Sequence, residues 1–283
     1  MKKFSKNKIF ILLLPALLFV GGISIVGIFE SFIQSIENSG LSIYKRLIFN
    51  DEYRMSFFYT FKFSFISVLI SIVLSLIIIY LIYDLIFYKR KKVEYMLYLL
   101  KSPMIMPYMV SAFLVFLIFS QGGYLSRILF NFHIIDDLKE ARILVNDEFG
   151  IGIIMTYVWK LTPFFLVMIY PALIQIASEE IDMARNLGGS KLKIFFRVII
   201  PYIKNTTMFS SVMAFIFTFT SFEVPYILGI SYPKALSVLI YEKYFHGSGL
   251  DMAMAQAANF LIILMGIGSW LAILFVKGLR SEE

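Results

Sequence analysis

The chain has no cysteine among its 283 residues, so it carries neither a disulfide framework nor thiolate chemistry. Histidine is nearly as scarce, with His133 and His246 far apart in sequence, leaving little from which to build a metal centre or a catalytic triad. Charged residues make up only 16%, against roughly 25% in soluble domains. No GxxxxGK[ST] string is present, so the chain does not bind ATP through a phosphate-cradling loop. Neither a G-x-S-x-G elbow nor an H-E-x-x-H pair occurs. The expectation is a chain that is not an enzyme, with no cofactor and no metal.

What the sequence has in abundance is apolar length. Hydrophobic residues reach 59% and the mean hydropathy is +0.81. Several runs approach the roughly 20 apolar residues that cross a bilayer. The fold class expected is all-α, a polytopic membrane protein in the lipid bilayer. In that setting the net charge of +7 marks loops beside the membrane, not a nucleic-acid surface.

Six spans are predicted, over about Ile9–Phe29, Phe57–Phe87, Pro103–Ser120, Gly150–Ile176, Pro201–Leu228 and Ala255–Val276. The first follows Lys2, Lys3, Lys6 and Lys8, but it is too long for a signal core and no small-x-small cleavage site closes it. An amphipathic piece near Leu41–Phe49 is expected at the membrane surface, and Leu125–Phe132 as a short helix. With the N-terminus inside, 16 of the 26 basic residues fall on inner segments and nine on outer ones, Lys160 lying within a span. That excess places both termini and residues 177–204 in the cytoplasm.

Within that inner segment lies SEEIDMARNLGGSKLKIFFRVIIP, Ser178–Pro201. Ser178 can cap a helix whose first turn holds Glu179, Glu180 and Asp182, where the dipole favours negative charge. Ile181, Ala184 and Leu187 recur at helical spacing, Arg185 lies near the end, and Gly188-Gly189 stops the helix. Ser190 can cap a second helix with an apolar side of Leu192, Phe195, Phe196, Ile199 and Ile200, before Pro201 opens the next span. By these local features alone the stretch is a helix-turn-helix loop.

Charges inside spans are costly and therefore informative. Lys160 either lines a polar path or snorkels to the outer interface. Glu223, in Ser221-Phe222-Glu223-Val224-Pro225-Tyr226, either lines that path or pins a neighbouring helix. Pro225 is expected to break the helix and free carbonyls there. Asp84, near the inner end of the second span, is expected to reach interfacial water or the basic run Lys89-Arg90-Lys91-Lys92.

Asp182-Met183-Ala184-Arg185, Leu187-Gly188-Gly189-Ser190 and Phe196-Arg197-Val198-Ile199-Ile200-Pro201 together resemble the EAA loop of ABC importer permeases. That pattern is approximately E-A-A-x-x-x-G, nine varied positions, then I-x-L-P. Here Asp182 stands for the Glu, Met183 for the first Ala, Val198 for the Ile and Ile200 for the Leu. The resemblance covers residues 55–278 and implies the type I, MetI-like permease fold. It divides the chain into an N-terminal helix and external segment over 1–54 and a permease core over 55–283, with the coupling loop at 177–201.

A second string, Phe222–Gly229 with Tyr232-Pro233, Leu236, Val238 and Tyr241, looks most like the spermidine/putrescine permeases, with ferric iron, thiamine or phosphonate carriers as the alternative. The resemblance implies two copies of an ABC ATPase, a second permease and an extracellular solute-binding protein as partners. It assigns Asp182, Ala184, Arg185, Leu187, Gly188, Ser190 and Pro201 to ATPase coupling, and leaves Lys160, Glu223, Pro225 and Tyr226 as candidate path lining. The rival from another class is a secondary transporter using Lys160 and Glu223 as an ion-coupled pair. A scaffold that transports nothing is the third reading.

Overall fold

All regular structure among the described residues is helical, as expected of long apolar runs, which in lipid must satisfy their backbone hydrogen bonds within the segment. The computed structural model describes residues 6–37, 40–88, 95–96, 98–137, 144–176 and 178–280. The run Lys89–Lys92 lies outside them, as do Lys2 and Lys3. In chain order the helices are α1 (Lys6–Ile36), α2 (Ser42–Phe49), α3 (Asp51–Tyr88), α4 (Ser102–Ile105), α5 (Tyr108–Phe119), α6 (Tyr124–Asn131) and α7 (Ile151–Leu173). There follow α8 (Ser178–Asn186), α9 (Lys191–Ile194), a π-helical turn (Phe195–Ile199), α10 (Ile200–Thr220), α11 (Glu223–Leu228), α12 (Leu236–His246) and α13 (Gly249–Arg280).

Among the described residues, five segments are long and apolar enough to cross a membrane: Leu13–Ile36, Asp51–Phe87, Tyr108–Asn131, Ile151–Leu173 and Gly249–Ser269. The fifth expected span, Pro201–Leu228, corresponds to α10. It is long enough at 21 residues, but Lys204, Asn205 and a series of Ser and Thr leave it less apolar than the others.

The chain forms two compact units, Met1–Arg54 with Leu239–Glu283, and Met55–Val238. In the first, α1 and α2 both pack on α13. Ser31 Oγ donates to Gln256 Oε1 at 2.8 Å, Gln256 Nε2 donates to Gln34 Oε1 at 2.9 Å, and Phe32 meets Phe260 at 5.1 Å. The expected amphipathicity of α2 is present: Ile43 and Leu47 are buried while Ile48 and Phe49 are exposed. Lys243 reaches Glu52 at 3.0 Å and Asp251 at 3.7 Å.

The second unit holds the main apolar core, with Phe63, Tyr83, Tyr157, Phe165 and Ile169 fully buried. Two prolines decide where its helices break. The span expected over Pro103–Ser120 divides at Met106-Pro107, because a prolyl ring clashes with the carbonyl four residues back and pushes its predecessor to extended backbone. Met106 accordingly has ψ 133°. The span expected over Pro201–Leu228 ends at Thr220. Pro225 sits inside the first turn of α11, and the helix parts at Ser221, the residue whose carbonyl its ring would strike.

Candidate functional site

The stretch Ser178–Pro201 folds as two arms around a glycine turn. In α8, Glu179 and Glu180 occupy the first turn and Arg185 the last, the arrangement the helix dipole favours. Ser178 lies within the helix, not outside it as a cap, and its hydroxyl donates to Glu179 Oε2 at 3.5 Å. The turn is a Schellman motif, in which two backbone N–H groups beyond the helix satisfy its last carbonyls. Gly188 N donates to Arg185 O at 2.8 Å and Gly189 N to Ala184 O at 2.9 Å. Gly188 has φ +78°, the left-handed region where a Cβ is strained. Gly189 is needed for a different reason: a Cβ there would stand 2.5 Å from Ala184 O.

Ser190 caps α9 as expected, its Oγ accepting from Lys193 N at 3.4 Å. The second arm differs in register from the expectation. Ile194, Phe195 and Ile199 are buried, whereas Leu192 and Phe196 are exposed. A π turn follows α9, in which Ile200 N donates to Phe195 O, five residues back. Widening there removes the clash that Pro201 would make with Arg197 O in an uninterrupted α-helix. The arm thus continues through Pro201 into α10.

Ile181 is fully buried and Ala184 packs half-buried against the core, so one face of α8 rests on the chain itself. The opposite face exposes Asp182, Met183 and Leu187, the last 83% accessible. Asp84, in the last turns of α3, meets the loop instead of staying with interfacial water: it pairs with Arg185 Nη2 and, at 3.2 Å, with Lys191 Nζ. Sequence reading missed this pairing, because nothing in residues 80–88 marks a partner a hundred positions away.

Lys160 is buried at 2% accessibility and does not snorkel. Its ammonium donates to Met106 O and, at 2.6 Å, to Pro103 O, and lies 4.6 Å over the Tyr108 ring. The carbonyls it holds are those freed by the break at Pro107. Glu223 is exposed at the start of α11, Pro225 is buried, and Tyr226 is exposed and stacked on Phe222 at 4.8 Å. Ser221 O, freed by the second break, accepts from Ser237 Oγ at 2.7 Å, so this carbonyl is already engaged. Helix α5 packs against both α7 and α11, bringing Lys160 and Glu223 to two neighbours of one helix. No ion pair joins the two.

A polar stripe on α3 also went unread. Ser56, Thr60, Ser64, Ser67, Ser71 and Ser75 are all buried. Their spacing of three and four residues puts them on one face and was the available signal. Several bond within the helix, as Ser67 Oγ does to Phe63 O at 2.7 Å and Ser71 Oγ to Ser67 O at 2.7 Å.

Residues 87–281 match the family described as binding-protein-dependent transport system inner membrane component, and they include both loop arms, Lys160 and Glu223. The chain belongs to this family. Among its relatives, a molybdate/tungstate transport system permease protein of Methanocaldococcus jannaschii is 31% identical over 117 residues, covering 41% of this chain and 46% of the relative. A spermidine/putrescine permease homolog of Mycoplasma genitalium is 28% identical over 139 residues, covering 49% and 47%. An sn-glycerol-3-phosphate permease of Yersinia enterocolitica is 25% identical, covering 86% and 81%.

The chain spans about half the length of the first curated relatives it matches. Among solved structures, a bacterial alginate ABC transporter in complex with its pentasaccharide-bound periplasmic protein shares the fold, with a TM-score of 0.74 at 18% identity, covering 94% of this chain and 91% of the other. The permease fold of this inner membrane family is therefore the fold of this chain.

Proposed function

We propose that the chain is the permease subunit of an ABC importer, passing a small solute across the cytoplasmic membrane with energy from ATP hydrolysed on a separate subunit. The observation that carries this reading is the loop: α8 is seated on its own chain through Ile181 and Ala184, stopped by a Schellman turn, and presents Asp182, Met183 and Leu187 outward. A short helix held on one face, with exposed Met183 and Leu187 beside the Asp182 carboxylate on the other, suits docking into a groove of a partner. The partner in this reading is an ABC ATPase, present in two copies.

A second permease completes the path, and an extracellular solute-binding protein delivers cargo. The ATPase would act on α8, and the continuous arm through Pro201 would carry that motion into α10, alternating access to a central path. Both termini and the loop are cytoplasmic, in line with the excess of basic residues on those segments. Residues 55–283 serve as the permease core, and 1–54 as an added span with its external segment.

The cargo is a small solute, for which a polyamine-type cation remains the proposal. Two features support it: the likeness of Phe222–Gly229 to polyamine permeases, and the exposed Glu223 carboxylate in that string. The relatives are named for molybdate/tungstate, spermidine/putrescine and sn-glycerol-3-phosphate, so the cargo is tested separately from the class. Identifying what the cognate binding protein retains, by mass spectrometry after native purification, provides that test. Retention of a polycation supports the proposal, and retention of an oxyanion or sugar overturns it.

Uptake by the assembled importer tests the class. It should stop when the ATPase is deleted and survive collapse of the ion gradient. The opposite pattern would favour an ion-coupled transporter, for which the unpaired placement of Lys160 and Glu223 gives no support.

A further inference from the structure

The C-terminal end of α3 offers one carboxylate to two cations of the loop. Asp84 Oδ1 pairs with Arg185 Nη2, and Oδ2 with Lys191 Nζ at 3.2 Å. Those cations straddle the glycine turn, since Arg185 closes α8 and Lys191 opens α9. A single side chain thereby fixes both arms relative to α3. The surroundings reinforce the geometry. Lys191 Nζ lies 5.1 Å over the rings of both Tyr80 and Tyr83, and Phe195 meets Tyr80 edge-on at 5.2 Å. Tyr80, Tyr83 and Asp84, at helical spacing, share one face of α3.

We propose that Asp84 is a positioning residue that latches the loop to α3, giving motion imposed on α8 a second route into the membrane body. The first route is covalent, through α9 and the π turn into α10. The second runs through the two ion pairs into α3, which along the chain is separated from the loop by α4, α5, α6 and α7. Asp84, Arg185 and Lys191 are 38–40% accessible, so each pair is partly screened by water. Partial exposure suits a contact that opens and re-forms during a cycle, where a fully buried pair would resist opening. The proposal rests on α8 being the ATPase contact.

The test uses the full importer, the chain assembled with its cognate ATPase, second permease and binding protein in nanodiscs. The quantity read is the ratio of ATP hydrolysis with and without liganded binding protein. Asp84→Asn keeps the size of the side chain and removes its charge. It should lower the ratio about five- to ten-fold, as expected for losing a partly exposed carboxylate with two cations. Asp84→Glu should restore most of it, and Lys191→Met should lower it about two- to three-fold, removing one of the two pairs.

A wild-type ratio in both Asp84→Asn and Lys191→Met overturns the latch while leaving α8 as the ATPase contact. Equal losses in Asp84→Asn and Asp84→Glu also overturn it, because charge would then not be what matters. Failure of the wild-type chain to assemble with an ATPase overturns the reading of α8 itself.

Discussion

Replacing the two glycines of the loop separates two physical causes that lie side by side. Gly188 has φ +78° with open space around it, so a side chain there meets backbone strain and nothing else. A left-handed alanine costs about 1–2 kcal/mol, whereas asparagine adopts that region routinely. Gly189 is the reverse: its backbone is ordinary, but a Cβ would lie 2.5 Å from Ala184 O and 3.3 Å from Ile194 Cγ1. Relief requires breaking the Gly189 N to Ala184 O bond of 2.9 Å, which adds about 1 kcal/mol to the steric cost.

Amide hydrogen exchange over 183–190 in the purified protein measures local opening directly. Since 1.4 kcal/mol is a factor of ten, Gly188→Ala should speed exchange about five- to thirty-fold. Gly188→Asn should do much less. At Gly189, Ala and Asn should both open the loop, and Gly122→Ala, where nothing lies within 4 Å, should leave it unchanged. Equal effects of Ala and Asn at Gly188, or wild-type exchange in Gly189→Ala, would refute this assignment of causes.

Three further outcomes follow from the same geometry. Gly188→Asp or Arg185→Glu should abolish energised uptake while membrane insertion, read by protease protection in vesicles, stays intact; normal uptake by either would remove the coupling role. Lys160→Met leaves the carbonyls of Pro103 and Met106 without their donor, at about 1–3 kcal/mol each, so thermal stability in detergent should fall. An unchanged melting temperature together with lost transport would instead make Lys160 a residue of the path. Lys243 is held protonated above its ordinary 10.5, chiefly by its hydrogen bond to Glu52. With the carboxylates ionised, the pairing contribution is complete below pH 10.5 and lost as pH rises through the raised value, so a melting scan from neutral pH upward should show Lys243→Met and wild type converging at strongly alkaline pH.

The parts of this fold that sequence disclosed are those governed by local rules. Apolar run length located the spans, and the pair Gly188-Gly189 ended α8 where the left-handed preference of glycine demands. Ser190 capped α9 for an equally local reason. Prolines were legible as causes but not in their consequences. Pro225 was expected to break the helix near its outer end, and the break falls four residues before it, where its ring acts. Pro201 does fall in the first turn of α10, as expected, but the π turn that joins α9 to α10 without a break was not legible.

What stayed hidden is long-range pairing. Asp84 and Lys160 each stood out as a charge in an apolar segment. Their partners, Arg185 with Lys191 in one case and two carbonyls in the other, are set by packing between helices distant in sequence.

The coupling role of α8 can be tested most directly by cross-linking, which the absence of cysteine makes clean. Met183→Cys on the exposed face of α8 and Leu187→Cys just past its last residue each give the chain a single thiol, at positions 65% and 83% accessible. In membranes holding the intact importer, a short thiol-to-amine linker at either position should join the chain to the ATPase subunit, and Tyr124→Cys on α6 should not. Adducts from Tyr124→Cys alone, or no ATPase adduct from either loop position, would contradict α8 as the point where ATP hydrolysis is coupled to this permease.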